Sequence, residues 1–525
     1  MLAFKTAKLS YWGYIVTSLN YGQAPGATFL RHLQSPFHGR KVTTAEPLGR
    51  GPRRIGTVSA LSAELVEQQV LAWREAAKLW FSRHGRRVTV VVPSFRDRSL
   101  LAELFAGLLA CSERDFVDVI VTDDHSNQPE HTAYLDEIER RHPFVRVVRG
   151  ASNVGFAANV NRGLLMADPA RDVVLMNSDV VPRDGWLAAL QYSLSLEPAD
   201  IIAPKLLFPD GQIQFAGGTR NTLSPQWFRH LHRGKPADLP AASARVPILF
   251  ASGAVFYVTA AARARLGNLD AGYPWAFEDL DYCLRSWTTG GSVAFEPRSV
   301  LIHRESATYG KSAGDETMQR SLQRFWSKNV GFFRRSTAGG RAASRVIFVS
   351  WEIGADRHQG AILNAVRALK RSGFACELWN RGSIPFRLRW GLRHRAFGSD
   401  AGLIAALGAT DAVKIATSWR SANTVWRGSV VRGVPAYLVL DDTGLERVAV
   451  PEIQASFRPE FSFLVVSKAL RKRMKSALSL GATVIGDLPG ARGAKPAAQT
   501  QQRLSDAVHA IAKAEYGLPV VLPDI

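Results

Sequence analysis

From Val88 onward, short apolar runs alternate with longer stretches of mixed polarity, the rhythm of strands and helices taking turns. Val88–Val92 is β-branched throughout and is stopped by Pro93; Val117–Thr122 is a second run, ended by Asp123 and Asp124; Val145–Val148 and Val173–Met176 follow. Each gap is long enough for a helix, so this segment predicts a doubly wound α/β unit on a mainly parallel sheet. Such sheets bind ligands beyond the carboxyl ends of their strands, so the residues that end these runs are where chemistry is to be sought. Upstream, Leu61, Leu65, Val70, Leu71, Trp73 and Leu79 recur at roughly helical spacing and predict one amphipathic helix over Leu61–Phe81, its apolar stripe packed on a neighbouring domain. Pro25–Gly56, rich in Gly, Pro, Arg and Thr, reads as loop. A second α/β pattern begins at Val346–Val349 and runs through a helix over Ala361–Arg371. It continues through apolar runs at Ala436–Leu440, Phe463–Val466 and Ala482–Ile485, and ends in a helix over Arg503–Glu515. Gly331–Arg345 reads as a connecting segment. The expected organisation is a basic extension over 1–87, a first α/β domain over 88–335, a linker over 336–345 and a Rossmann-like α/β domain over 346–525.

Composition narrows the class. A chain of 525 residues, 46% hydrophobic, fits two or three globular domains and excludes a disordered or fibrous protein. Cys111, Cys283 and Cys376 are odd in number and far apart, which argues against a disulfide framework or structural zinc and fits a reducing cytosol. The longest charge-free runs, Leu9–Leu30 and Val246–Ala262, are diluted by polar residues or broken by Pro247 and Gly253, so no membrane span is expected. Met1–Ser10 carries two lysines with no uninterrupted apolar segment after them, so no secretory signal is expected either.

Net charge is +21, which leaves nucleic acid, a membrane surface or phosphorylated small molecules as anionic partners. Its distribution is uneven. Residues 1–87 hold 13 basic and 4 acidic residues, residues 341–525 hold 26 and 14, and the segment between holds 27 of each. The predicted first domain is neutral, and the flanks carry the excess.

Neither GxGxxG nor GxxxxGK[ST] follows a predicted strand, so a nicotinamide dehydrogenase and a P-loop NTPase both lack their phosphate cradle. Acids stand there instead: Asp123-Asp124 after the second run and Asn177-Ser178-Asp179 after the fourth. Carboxylates at a ligand edge repel phosphate unless a cation lies between, and carboxylate, diphosphate and Mg²⁺ or Mn²⁺ are compatible hard ligands. Each Asp also suits a helix cap, so neither site decides alone. Glu278-Asp279-Leu280-Asp281 follows the aromatic Tyr273–Phe277 segment and leads into a predicted helix. There the acids favour the helix dipole and, as a cluster, can raise one another's pKa and supply a general base. The His230–Arg233 stretch reads as a solvated loop.

Residues 88–310 resemble glycosyltransferase family 2, inverting nucleotide-sugar transferases of GT-A fold. The matching pieces stand in the family's order: VTVVVPSF (Val88–Phe95), VIVTDDHSN (Val119–Asn127), NVGFAANVNRG (Asn153–Gly163), LMNSDV (Leu175–Val180), SGAVF (Ser252–Phe256), FEDLDYCLR (Phe277–Arg285) and LIHRES (Leu301–Ser306). The third piece is most similar to bacterial rhamnosyltransferase-type members acting on surface polysaccharides. The resemblance implies that Pro93, Phe95, Asp123 and Asp124 hold the pyrimidine and ribose, a carboxylate favouring uracil or thymine. It implies that Asn153, Gly155 and Asn161 close over the nucleotide, and that Asn177 and Asp179 occupy the DxD position, with Asp179 and His303 as ligands of a divalent metal (Mg²⁺ or Mn²⁺). Asp279 matches the catalytic base with Glu278 beside it, and Gly253, Ala254 and Asp281 fall on the acceptor side.

Residues 345–490 resemble one half of a family 4, GT-B-type transferase, through Val346–Ile353, YLVLDDTG (Tyr437–Gly444) and FLVVSKALRKRM (Phe463–Met474). The family's other half has no counterpart before Ile525, so this domain is expected to be non-catalytic. Its basic clusters are Arg387–Arg395, interleaved with Leu and Trp in a way that suits anionic lipid headgroups, and Arg471–Lys475. The expected partners are a nucleoside-diphosphate sugar and a glycan or polyprenyl-diphosphate-linked acceptor. Peripheral contact with anionic membrane at the cytoplasmic face is compatible with the basic flanks. Nucleic acid is not expected, because charge alone points to it. The rival from another class is a catalytically idle glycan- or nucleotide-sugar-binding protein.

Overall fold

The computed structural model describes residues 56–220, 228–305, 315–333, 345–351, 358–382, 393–442, 451–488 and 496–513. They form two α/β units, each on its own sheet.

The strands of the first unit are β1 (Val88–Ser94), β2 (Val117–Asp123), β3 (Val145–Arg149), β4 (Val173–Met176), β5 (Val180–Pro182), β6 (Ile201–Leu207), β7 (Ile213–Phe215), β8 (Gly218–Arg220), β9 (Phe228–His230), β10 (Val246–Pro247), β11 (Val255–Val258) and β12 (Val293–His303). The main order is β10-β12-β6-β11-β4-β1-β2-β3. β4, β1, β2 and β3 run parallel, as do β6 and β12, while β11 is antiparallel between β4 and β6. Helices are α1 (Gly56–His84), α2 (Arg98–Ala110), α3 (Pro129–Arg141), α4 (Phe156–Met166), α5 (Trp186–Leu196), α6 (Ala260–Leu266), α7 (Glu278–Thr288) and α8 (Asp315–Phe333). The parallel strands β1 and β4 are buried almost without interruption, which is why they read as continuous apolar runs.

Helix α1 packs along this unit. Trp73 meets Tyr192 of α5 with ring centroids 5.0 Å apart, and the Arg298 guanidinium lies 3.6 Å from a Trp73 ring. Lys78 pairs with Asp184 at 3.0 Å. Part of the segment read as connecting, Gly331–Arg345, is ordered in regular structure. Gly331–Phe333 are the last turn of α8, Arg345 opens the next strand, and 334–344 lie outside the described residues.

The second sheet is β13 (Arg345–Ser350), β14 (Ala375–Arg381), β15 (Arg393–Phe397), β16 (Val413–Ala416), β17 (Val434–Val439), β18 (Ser462–Val465) and β19 (Ala482–Val484), in the order β15-β14-β13-β16-β17-β18-β19. Every pairing in it is parallel, the order of a doubly wound sheet. Its helices are α9 (Gln359–Arg371), α10 (Asp400–Gly408), α11 (Trp419–Arg427), α12 (Pro451–Ala455), α13 (Lys468–Leu478) and α14 (Ala498–Lys513).

One apolar core runs across both units. At the junction Trp287 and Trp426 meet edge to face at 5.7 Å, and Arg458, 3% exposed, donates to the Pro247 carbonyl. Among the described residues no helix is long and apolar enough to cross a membrane, and all three cysteines are buried and free.

Candidate active site

The parallel strands β1, β2 and β4 end on a cleft of about 210 Å³, lined by Pro93, Ser94, Phe95, Asp97, Asp124, Phe156, Asn159, Asn177, Ser178, Asp179, Trp275 and His303. Sequence spacing put Asp123-Asp124 and Asn177-Ser178-Asp179 at strand ends, and both stand there.

Asp124 is turned into the protein. Its Oδ1 accepts from the Val154 amide and its Oδ2 from the Gly155 amide, both at 2.9 Å, and Arg162 reaches Oδ1 at 3.1 Å. The carboxylate therefore fastens the Asn153–Gly155 loop to the end of β2. Gly155, at φ +85°, makes the turn into α4, a conformation glycine adopts without strain. Asn153 is exposed beside the cleft and is not among its lining residues. Asn161 points elsewhere: its amide donates to the Leu269 carbonyl at 2.9 Å and accepts from the Leu269 amide at 3.0 Å, tying α4 to the approach of α7. Asn159, not singled out by sequence, lines the cleft and donates to the Thr122 carbonyl at 2.7 Å.

Asp123 sits beneath, its carboxylate accepting from the Ser126 hydroxyl and lying 3.5 Å from His131 Nε2. Burial alone would raise its pKa, but the bonds from His131 and Ser126 outweigh burial and hold the carboxyl below its ordinary value. Asp97 joins two strand ends: it accepts from Ser94 at the end of β1 at 2.5 Å and from the hydroxyl of Ser178. Buried His131 lies against the same group, 3.2 Å from Ser94 Oγ. Sequence reading missed Asp97, His131 and Trp275. Asp97 carries one local signal, an acid three residues after Ser94 at the start of a helix.

The Asn177–Asp179 turn meets the end of β12. Antiparallel pairing places His303 opposite Val180, and the Arg304 amide donates to the Asp179 carbonyl at 3.1 Å. His303 Nε2 comes within 3.2 Å of Asp179 Oδ1. Asn177 Oδ1 and His303 Nδ1 are buried with no hydrogen-bond partner, an arrangement that ordinarily costs about 1–3 kcal/mol per group, and Asp179 Oδ1 meets only the His303 ring. Among the described residues no group of three or more His, Cys, Asp or Glu gathers in a metal-holding geometry. One carboxylate, one imidazole and one amide oxygen fit a hard divalent cation whose remaining positions come from ligand and water.

The acids at the start of α7 stand next to this turn through two backbone contacts. Asp279 Oδ2 accepts from the Gly253 amide at 2.6 Å, and the neighbouring Ala254 carbonyl accepts from the Asn177 amide at 2.8 Å. A Cβ at position 253 would lie 3.1 Å from Asp279 Oδ2, so the short Gly253 side is what admits the carboxylate. Burial pushes both Glu278 and Asp279 up; for Glu278 the charge of Asp279 adds to it, and for Asp279 the Gly253 and Leu280 amides oppose it. Ala276 and Phe277, leading into α7, hold φ of +63° and +72°, backbone strain of the kind that clusters at functional sites. Asp281 faces away from the cleft, its Oδ1 held by Tyr273 at 3.1 Å, Asn329 at 3.1 Å and Lys328 at 2.8 Å.

In the His230–Arg233 stretch, expected as a solvated loop, Leu231–Arg233 form a turn with Arg233 exposed, while His230 belongs to a strand. His230 ends β9 with its ring edge-on to Phe215 at 5.0 Å, and burial pushes both His230 and His232 down to about 4. Neither lines the cleft.

Strand order, cleft position and acidic turn together define an α/β unit whose parallel strands end on a polar cleft. Residues 89–249 match the family model Glycosyl transferase family 2. The chain is 25% identical over 242 residues to the N-acetylglucosaminyl-diphospho-decaprenol L-rhamnosyltransferase of Mycobacterium tuberculosis, covering 42% of this chain and 77% of that protein. It is 22% identical over 229 residues to a putative polypeptide N-acetylgalactosaminyltransferase 9 of Drosophila melanogaster, covering 39% and 33%. Among solved structures it is similar to a mannosyltransferase from Pyrobaculum calidifontis in complex with GDP-Man and Mn²⁺, with a TM-score of 0.34 and 16% identity over 52% of this chain and 75% of that one. The chain spans 27% and 33% of the length of the first two curated relatives.

Proposed function

We propose that this protein is an inverting glycosyltransferase that moves a sugar from a uridine or thymidine diphosphate donor to a hydroxyl of a bacterial surface glycan or its lipid-linked precursor, working at the cytoplasmic face of the membrane. The observation that carries this reading is the buried turn where Asn177, Asp179 and His303 meet with polar atoms left unsatisfied, beside an acid held at the start of α7. Phe95 and Asp124 line the end of the cleft where the base would lie, with Asp124 fixing the loop over it. Asp179, His303 and Asn177 would hold a divalent cation, which when bound carries the charge of the diphosphate.

In this reading the acceptor hydroxyl oxygen forms the new bond to the anomeric carbon as the bond to the diphosphate breaks, and Asp279 takes the hydroxyl proton. Gly253 and Leu280 hold the Asp279 carboxylate through their amides and leave further lone pairs for that proton. Glu278 keeps a second buried carboxyl beside it, and Asp281 braces the loop against α8.

Transfer from a panel of nucleotide sugars, with and without Mn²⁺, tests the proposal. Asp279→Asn is expected to lower kcat about 10²–10⁴-fold with little change in unfolding temperature, and chelation to abolish turnover. Unchanged transfer after either treatment overturns it.

A further inference from the structure

Helix α13 carries Lys468, Arg471, Lys472 and Lys475 at positions i, i+3, i+4 and i+7, which is one stripe of a helix. All four are exposed, while Leu470 and Met474 of the same helix are buried against the second sheet. Arg473 reaches Asp442, but among the described residues no carboxylate pairs with the four cations of the stripe. The stripe has no rationale in the stability of its own helix. Lys468 and Arg471 sit near the positive end of the helix dipole, the first turn holds no acid, and like charges three and four apart repel.

We infer that this helix is a docking surface for a bilayer containing anionic phospholipid. Its length of charge, about 10 Å over seven residues, faces several headgroups at once rather than a single phosphate. Its apolar residues are already used inside the protein, so contact is electrostatic and lies on the headgroups without insertion. The other exposed positions of the helix are Ala469, Arg473, Ser476 and Ala477, with no aromatic ring to stack on bases and no side-chain amide to read them, which favours lipid over nucleic acid. The second domain as a whole, with 26 basic and 14 acidic residues over 341–525, supplies long-range attraction of the same sign. The inference holds whether or not the first unit transfers a sugar.

Sedimentation of the full chain with vesicles tests it, comparing neutral phosphatidylcholine with a mixture about one-third phosphatidylglycerol at about 0.1 M salt. The anionic vesicles are expected to bind at least about tenfold more tightly than neutral ones, and salt near 0.5 M to release the protein. Arg471→Glu with Lys472→Glu should weaken anionic binding at least about tenfold while the unfolding temperature holds or rises, since repulsion within the helix is relieved. Lys468→Gln with Lys475→Gln, a gentler pair, should weaken it in the same direction. Equal binding to neutral vesicles, unchanged binding by both folded variants, or tighter binding to duplex DNA than to anionic vesicles at the same salt overturns the inference.

Discussion

Asp124 and Asp279 show how one carboxylate differs from another by what its oxygens touch. Asp124 accepts two backbone amides and one guanidinium and acts as the fastener of the Asn153–Gly155 loop. Asp279 accepts two amides yet is raised by burial, with raised Glu278 beside it. A carboxyl whose folded pKa lies above its unfolded one stabilises the fold below the unfolded value, and that contribution is lost as pH rises through the folded value. Activity runs the other way, because a base must be deprotonated. Turnover is therefore expected to rise with pH above the ordinary carboxylate range while thermal stability falls across the same window. Glu278→Gln, which has no proton to lose, should flatten the fall in unfolding temperature measured between mildly acidic and mildly alkaline buffer. An equally steep fall in that variant would assign the pH dependence to other groups. The acids that end β-branched runs were readable from sequence because strand, stop and carboxylate are adjacent. Asp97, His131 and Trp275 were not, since their meaning comes from distant partners: Ser178 stands 81 residues from Asp97.

At the scale of elements, the apolar runs of the second sheet were readable and its charge-bearing strands were not. The second sheet was expected at four runs, Val346, Ala436, Phe463 and Ala482, whereas β14, β15 and β16 carry Glu377, three consecutive basic or imidazole residues and Lys414. Lys414 is fully buried, its Nζ donating to the carbonyls of Leu407, Gly428 and Arg432 at 2.6, 2.5 and 2.7 Å, which lie at or near the C-terminal ends of α10 and α11. A charge met by helix-end carbonyls is compatible with a core strand, but no local pattern announces it. Arg393 and Arg395, expected to belong to a headgroup-facing cluster, lie in edge strand β15 with Arg395 over the Trp379 and Phe397 rings; Arg387–Leu392 lie outside the described residues. In the first unit α4 presses on the sheet at Gly163, where a Cβ would fall 2.4 Å from Val91 Cγ1. Gly163→Ala should therefore lift α4 and cost about 1–3 kcal/mol, read as a lower urea midpoint at unchanged m value. Because Asp124 ties the loop ahead of α4 to β2, the same variant should also weaken nucleotide binding. A midpoint equal to that of the natural protein would mean the helix has room to spare.

The two units behave as one body if their junction is as strong as its chemistry implies. Arg458 and Glu460 form a nearly fully buried pair at 2.9 Å, the guanidinium lies 3.8 Å from a Trp426 ring and donates to Pro247 of the other unit, and Arg220 approaches the Glu460 carbonyl at 3.5 Å. Burial alone would raise Glu460, but Arg458 outweighs it and keeps the carboxyl ionised. Around this centre Arg427 reaches Glu197 at 2.6 Å and Arg245 closes on the same carboxylate. A buried charge without its partner is costly, about 3–5 kcal/mol, whereas replacing both members by apolar groups of similar size is often neutral. Glu460→Gln should thus strand Arg458 beneath Trp426 and loosen the junction, and calorimetry should show the single transition expected of a shared core divide into two. Arg458→Met with Glu460→Leu should restore one transition near the original temperature. If Glu460→Gln melts as the natural protein does, the pair is not what holds the units together. The Trp287–Trp426 contact and the apolar core around it would then carry the coupling between the neutral domain that holds the cleft and the basic domain that bears the cationic helix.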